Sequence, residues 1–173
     1  LLTRPTLCKA LSIAPEDFID LLAWAMDNPS NPKVITEAKV LECTQKTPDL
    51  TVLPIPHHWR EDRGRYMSAS IIIAEYDGVR NMSFHRQYLR DPTHLVTRLV
   101  PRHLRTMTDH ARSNGDEVNI AIINGADPVV LLAAAMSFDH NLDELTVASS
   151  LHQKIYGKAL NLVELPNGLQ VPA

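Results

Sequence analysis

The sequence predicts an α+β fold, a mainly antiparallel sheet or barrel with flanking helices. Three observations carry that prediction. Seven strand-like and four helix-like segments follow one another without strict alternation, which disfavours a parallel doubly wound sheet. An Asp-Gly pair joins two of the longest strand-like runs, the strongest short-range hairpin signal. Twelve prolines against six glycines indicate short elements with stiff corners. The 173 residues suffice for one domain with a real core, and 45% hydrophobic with 21% charged residues excludes disorder, collagen and coiled coil.

In chain order, the first residues already read as helix and lack an initial methionine, which suggests a piece of a longer protein. Pro15-Glu16-Asp17 opens a helix, with Phe18, Leu21, Leu22 and Ala25 at helical spacing over residues 15 to 27. Asn28 to Pro32 then reads as a linker. Residues 33 to 44 read as a strand, and LPIPHHW, 53 to 59, is excluded from any central strand by its prolines. The hairpin follows: SASIIIAEY, Asp77-Gly78, VRNMSFHRQYL. Its alternation places Asn81, Ser83 and His85 on one face of the return strand and Met82, Phe84 and Arg86 on the other.

Residues 94 to 100 read as a further strand, and Pro101 opens a helix to Asn114 that Gly115 stops. VNIAIING, 118 to 125, reads as a buried strand. Asp127-Pro128 caps a helix to about Met136, and Asn141 with Glu144 has capping-box spacing for a helix to about Gln153. The closing segment reads as strand, Pro-Asn-Gly turn and strand. Two domain segments result: a helical lead-in and linker over 1–32 and the β-rich domain over 33–173.

Several function classes are excluded. A net charge of -3 gives no basic footprint for nucleic acid. No run of about 18 apolar residues is present to span a membrane. Neither a G-x-G-x-x-G nor a P-loop pattern occurs. Two cysteines, Cys8 and Cys43, make no disulfide framework, and a reducing cytoplasm is the expected compartment. The eight histidines form no H-E-x-x-H pattern. Arg80, Arg86, Arg98, Arg102 and Arg105, spread over neighbouring elements, would suit an anion if they converge.

The stretch from LPIPHHW through GRY and RNMSFHR, followed by RLVPRHL, NGADPVVLLAAAMS, LDELTVAS and LQVPA, resembles the UbiD family of decarboxylases. The Ser83-Phe84-His85-Arg86 and Val100-Pro101-Arg102-His103 versions are most similar to its archaeal branch, whose members include anhydromevalonate phosphate decarboxylases. The resemblance implies a split β-barrel-like, mainly antiparallel FMN-binding domain with flanking helices. It implies reversible, non-oxidative decarboxylation of an unsaturated or aromatic acid, of anhydromevalonate phosphate or hydroxybenzoate type, on prenylated FMN. The implied metals are Mn²⁺ or Mg²⁺, held by Asn81, His103 and Glu144, together with K⁺.

By the same resemblance Arg86 is catalytic, orienting the substrate carboxylate, and Ser83, Phe84, His85, Arg86, Arg102, His103, Ala135 and Met136 contact the cofactor. The implied partners are a small carboxylic acid, a flavin prenyltransferase that supplies the cofactor, and further copies in a homo-oligomer. Arg102 replaces the family's glutamine, Gln170 replaces a glutamate in the closing motif, and the family's two catalytic glutamates fall beyond that motif. The competing expectation is a non-catalytic module that binds flavin phosphate or serves oligomerisation.

Overall fold

The computed structural model describes residues 3–137 and 142–173. Among them the elements are α1 (Arg4–Ala10), α2 (Phe18–Asp27), β1 (Lys33–Ile35), β2 (Tyr66–Tyr76), β3 (Val79–Asp91), β4 (His94–Thr97), α3 (His103–Asn114), β5 (Asn119–Ile123), α4 (Pro128–Ala135), α5 (Glu144–Tyr156), β6 (Asn161–Glu164) and β7 (Gln170–Pro172). The fold is mixed α and β. A curled four-stranded sheet of order β4-β3-β2-β5 is antiparallel throughout, and a small sheet of order β1-β6-β7 pairs β1 parallel and β7 antiparallel with β6.

The hairpin forms where the Asp-Gly pair predicts it. Asp77 and Gly78 take φ of 53° and 73°, and two positive φ values in a row are the signature of the tight turn whose twist matches that of the strands. Tyr76 then pairs Val79, and the register runs through Ala74↔Asn81, Ile72↔Ser83 and Ser70↔His85 before an irregularity between Met67 and Ser70. The run Ile71-Ile72-Ile73-Ala74 does not alternate because both faces of β2 are covered. Ile71 and Ile73 join Met82, Ala121, Val129, Ala133, Leu145 and Leu151 in the main core, whereas Ile72 and Ala74 join Leu104 and Met107 of α3 in a smaller one. The sheet thus lies between α3 on one side and the α4–α5 pair on the other.

Several predicted boundaries are corrected. The strand expected over 33 to 44 is β1 alone, followed by a single 3-10 turn at Lys39–Leu41, because the parallel pairing to β6 extends only from Lys33 to Ile35. Five α-helices are present among the described residues, since the opening segment is a full helix capped by Thr3. The helix after Pro15 begins at Phe18, and the one after Pro101 begins at His103. Gly115 ends the latter with φ of 80°, as predicted. The capping-box expectation for Asn141 lies outside the described residues, and the helix begins at Glu144 with Asp143 as its N-cap, the Asp143 carboxylate accepting from the Leu145 N–H at 2.9 Å.

β3 has a long open edge. β4 pairs with it only from Gln87 to Asp91, leaving the Val79 to Arg86 stretch without a strand neighbour on that side among the described residues. The candidate site residues of β3 lie along this edge.

Candidate functional site

Asp143 sets the site's geometry. One of its oxygens caps α5, while the other receives Nε and Nη2 of Arg80 at 3.0 and 2.6 Å. Arg80 also donates from Nη1 to Gln170 Oε1 of β7 at 3.3 Å. Both ion-pair side chains are largely buried, so the charge-assisted bonds are weakly screened. This bridge pins the start of α5 against the open edge of β3. The next residue on the helix, Glu144, is thereby brought to Asn81 and Met82.

Glu144 is 4% exposed. Its Oε1 accepts from Asn81 Nδ2 at 2.9 Å and its Oε2 from the Met82 N–H at 3.0 Å, so the carboxylate takes the place of the missing strand partner. Burial pushes its pKa up to about 7, against the lowering effect of those hydrogen bonds. Further along the strand, Ser83 Oγ lies 3.0 Å from Asn81 Oδ1 and 3.0 Å from His85 Nε2. Burial also lowers the pKa of the half-buried His85 imidazole.

A cleft of about 540 Å³ opens over this edge. Its walls include Asn81 through Arg86 of β3, Arg98 and Val100 to Leu104 on the approach to and first turn of α3, Met136 and Ser137 after α4, and Glu144. Every site residue named from the sequence lines it except Ala135, the last residue of α4. The two faces predicted for β3 both contribute, because at an open edge the cleft meets side chains from either face.

The five arginines divide in a way the sequence does not reveal. Arg86, Arg98 and Arg102 line the cleft, Arg80 is held by Asp143, and Arg105 pairs with Asp109 at 2.6 Å on α3. Among the described residues Glu144 is the one carboxylate in that lining, against the three guanidinium groups of Arg86, Arg98 and Arg102, in a chain of net charge -3. His57 and His58 instead bond the carbonyls of Asp62 and Tyr66, holding the proline-rich loop. Asp143 was not named from the sequence, and Arg98 was named only among the arginines that could converge on an anion. The Leu142-Asp143-Glu144-Leu145 sequence holds the signal for Asp143, an N-cap type directly before an apolar-periodic run.

Residues 32–173 match the family model described as the 3-octaprenyl-4-hydroxybenzoate carboxy-lyase Rift-related domain. The chain belongs to the UbiD family. Among curated relatives of this UbiD chain, the anhydromevalonate phosphate decarboxylase of Methanothermobacter thermautotrophicus is 35% identical over 154 residues, covering 87% of the chain and 36% of the relative. That of Methanocaldococcus jannaschii is 32% identical over 176 residues, covering 99% and 41%. The chain therefore spans about two fifths of the length of these relatives.

Among solved structures, an evolved dimeric form of the UbiD-class enzyme HmfF from Pelotomaculum thermopropionicum, in complex with prFMN, superposes with a TM-score of 0.91 at 34% identity, covering 98% of this chain and 40% of that one. A vanillic acid decarboxylase from Sedimentibacter hydroxybenzoicus shares the fold, with a TM-score of 0.83 at 19% identity over 94% of this chain and 37% of its own.

The donor chemistry of the cleft fits both a hard cation and a phosphate. Among the described residues no three His, Cys, Asp or Glu side chains converge, and a cation site built from those that line the cleft would draw on the Asn81 amide. Asn81 and Glu144 supply oxygen donors and His103 an imidazole, a mixture that suits Mn²⁺ or Mg²⁺. A buried carboxylate whose ionisation is suppressed by desolvation is a group that a cation would stabilise, and Arg80 is already engaged by Asp143. Arg98 and Arg102 present forks suited to phosphate oxygens.

Proposed function

We propose that this chain is the cofactor-binding part of a UbiD-type carboxy-lyase that removes CO2, reversibly and without oxidation, from a small unsaturated or aromatic acid on prenylated FMN. Residues 33–173 form the split β-barrel-like FMN domain in this reading, and residues 1–32 its helical lead-in. The observation that carries it is the convergence of Asn81, Ser83, Phe84, His85, Arg86, Arg102, His103, Met136 and Glu144 on one cleft. The names of the archaeal relatives make anhydromevalonate phosphate the first acid to offer, with hydroxybenzoate-type acids second.

Each side chain has a task. Asn81, His103 and Glu144 would hold a divalent cation, which would supply positive charge against a cofactor phosphate. Arg98 and Arg102 add positive charge around the same phosphate. Phe84 and Met136 give apolar surface to a planar ring. Arg86 receives the substrate carboxylate in its fork and fixes the direction in which the carbon–carbon bond breaks. When bound, prenylated FMN supplies the electron sink for the charge left on carbon as CO2 departs. A flavin prenyltransferase supplies that group, and the whole enzyme is a homo-oligomer.

Binding is the readout suited to this chain. Co-expressed with a flavin prenyltransferase and supplied with Mn²⁺, it is expected to show by native mass spectrometry one cofactor and one metal, with a flavin absorption band. Asn81→Ala and Glu144→Ala should lose both while keeping their circular dichroism spectrum. Undiminished retention in both variants would refute this site.

A further inference from the structure

The hydrogen bonds along β3 have a direction. Ser83 Oγ lies 3.0 Å from both Asn81 Oδ1 and His85 Nε2, and a hydroxyl has a single proton to give. Asn81 Oδ1 can only accept, so the proton goes there. His85 Nε2 must then carry its own hydrogen and donate it to Ser83. At the other end the amide offers Nδ2–H to Glu144 Oε1 at 2.9 Å. The ladder therefore runs from His85 Nε2–H to Ser83 and from Ser83 to Asn81 Oδ1, with Asn81 Nδ2–H closing on Glu144. Nδ1 of His85 is left as an acceptor.

A cation imposes the opposite order. An amide serves a metal ion through its oxygen and never through its NH2 group. In the ladder as it stands, Nδ2 is the atom facing Glu144. When Asn81 and Glu144 share a cation, the amide must turn over, so that Oδ1 faces the ion and Nδ2–H faces Ser83. Ser83 becomes an acceptor on that side, and its one proton has a single acceptor remaining, His85 Nε2. The imidazole hydrogen must then reside on Nδ1.

We propose that cation binding at Asn81 and Glu144 reverses this ladder and switches His85 from the Nε2–H to the Nδ1–H tautomer, so that Ser83 and His85 report on and respond to the metal. The inference rests on the cation reading of Asn81 and Glu144 given above. Its consequence lies in the cleft that His85 lines. With the cation bound, the imidazole gains an N–H donor at Nδ1, joining the guanidinium groups of Arg86, Arg98 and Arg102 as partners for a phosphate, carboxylate or carbonyl oxygen. Without it, Nδ1 is an acceptor and disfavours such a ligand. Cation and oxyanion binding are thereby coupled, and the coupling is reciprocal. His85 is a positioning residue in this scheme, and since burial lowers its pKa from the ordinary histidine value, the two neutral tautomers are the states compared at pH 8.

The experiment is imidazole ¹⁵N spectroscopy on histidine-labelled protein at pH 8, titrated with Mg²⁺ alone and then with Mg²⁺ and FMN. Binding is followed separately through the Asn81 side-chain amide signals. The majority tautomer of His85 is expected to change from Nε2–H to Nδ1–H in step with the Asn81 response. In Ser83→Ala the Asn81 signals should still respond while His85 keeps one tautomer throughout. Mg²⁺ that shifts Asn81 but leaves wild-type His85 as Nε2–H would overturn the switch and leave the metal reading standing. A tautomer change that persists in Ser83→Ala would overturn the route through Ser83. No response of Asn81 to Mg²⁺ with or without FMN would overturn both the switch and the metal reading.

Discussion

Replacing Glu144 by glutamine removes the charge of the buried carboxylate while keeping its shape, and the structure fixes how the effect depends on pH. In metal-free protein, burial raises the Glu144 pKa from 4.5 to about 7. Below pH 4.5 the group is protonated whether the chain is folded or not, and its ionisation carries no penalty. Between 4.5 and 7 the folded protein retains a proton that the unfolded chain has released, so the free energy of unfolding falls as pH rises. Above the folded value the loss is complete. At about 1.4 kcal/mol per pKa unit, the whole displacement amounts to ~3 kcal/mol.

Urea unfolding in EDTA at pH 4.5 and pH 8 measures it. Wild type should lose about 3 kcal/mol more than Glu144→Gln over that interval, every other titrating group being common to both. Mg²⁺ added at pH 8 should restore stability to wild type alone, since it binds the ionised form. An identical pH dependence in the two proteins would refute the reasoning, because the carboxylate would then pay no desolvation penalty in the fold.

Three further outcomes are expected. Arg80→Leu leaves Asp143 without its partner at the start of α5 and should cost about 1–3 kcal/mol in thermal unfolding; an unchanged Tm would show the pair to be screened by solvent. Gln87 is fully buried on β3, and neither of its amide atoms has a hydrogen-bond partner among the described residues. Gln87→Leu should therefore be neutral or stabilising by ~1 kcal/mol, and a loss of more than ~1 kcal/mol would reveal an enclosed water that bonds the amide. A Cβ at Gly78 meets no neighbouring atom but sits at a φ of 73°, so Gly78→Ala should cost about 1–2 kcal/mol in urea unfolding while leaving cofactor retention unchanged.

Local chemistry made much of the fold legible. The β2–β3 hairpin follows from Asp77-Gly78, and the end of α3 from Gly115, because turn and stop signals act over a few residues. What was not legible depends on residues far apart in the chain. The strand expected over 33 to 44 shrank to three residues because its one strand partner among the described residues is β6, near the opposite end of the chain. Glu144 offered no sign of burial, since an acid in the first turn of a helix is ordinarily solvated. Its burial comes from the open edge of β3, which exists because β4 is short. The family resemblance supplied the candidate ligands. The bridge from Arg80 to Asp143 that brings two of them together is a tertiary contact with no local sequence signature.

The small sheet has a kinetic meaning. β1 and β6 join Val34 to Leu162, so their pairing closes about three quarters of the 173-residue chain into a loop and is disfavoured until other contacts have shortened that loop. The β2–β3 hairpin, by contrast, closes across two residues. Folding should therefore present the row from Asn81 to His85 as a finished template before α5 is fastened down, and Glu144 arrives at donors already in place. An error at the hairpin would be carried into the site, whereas an error at the small sheet would leave a protein whose site is formed but poorly latched. Hydrogen exchange should accordingly find β1 and β6 opening more readily than β2 and β3.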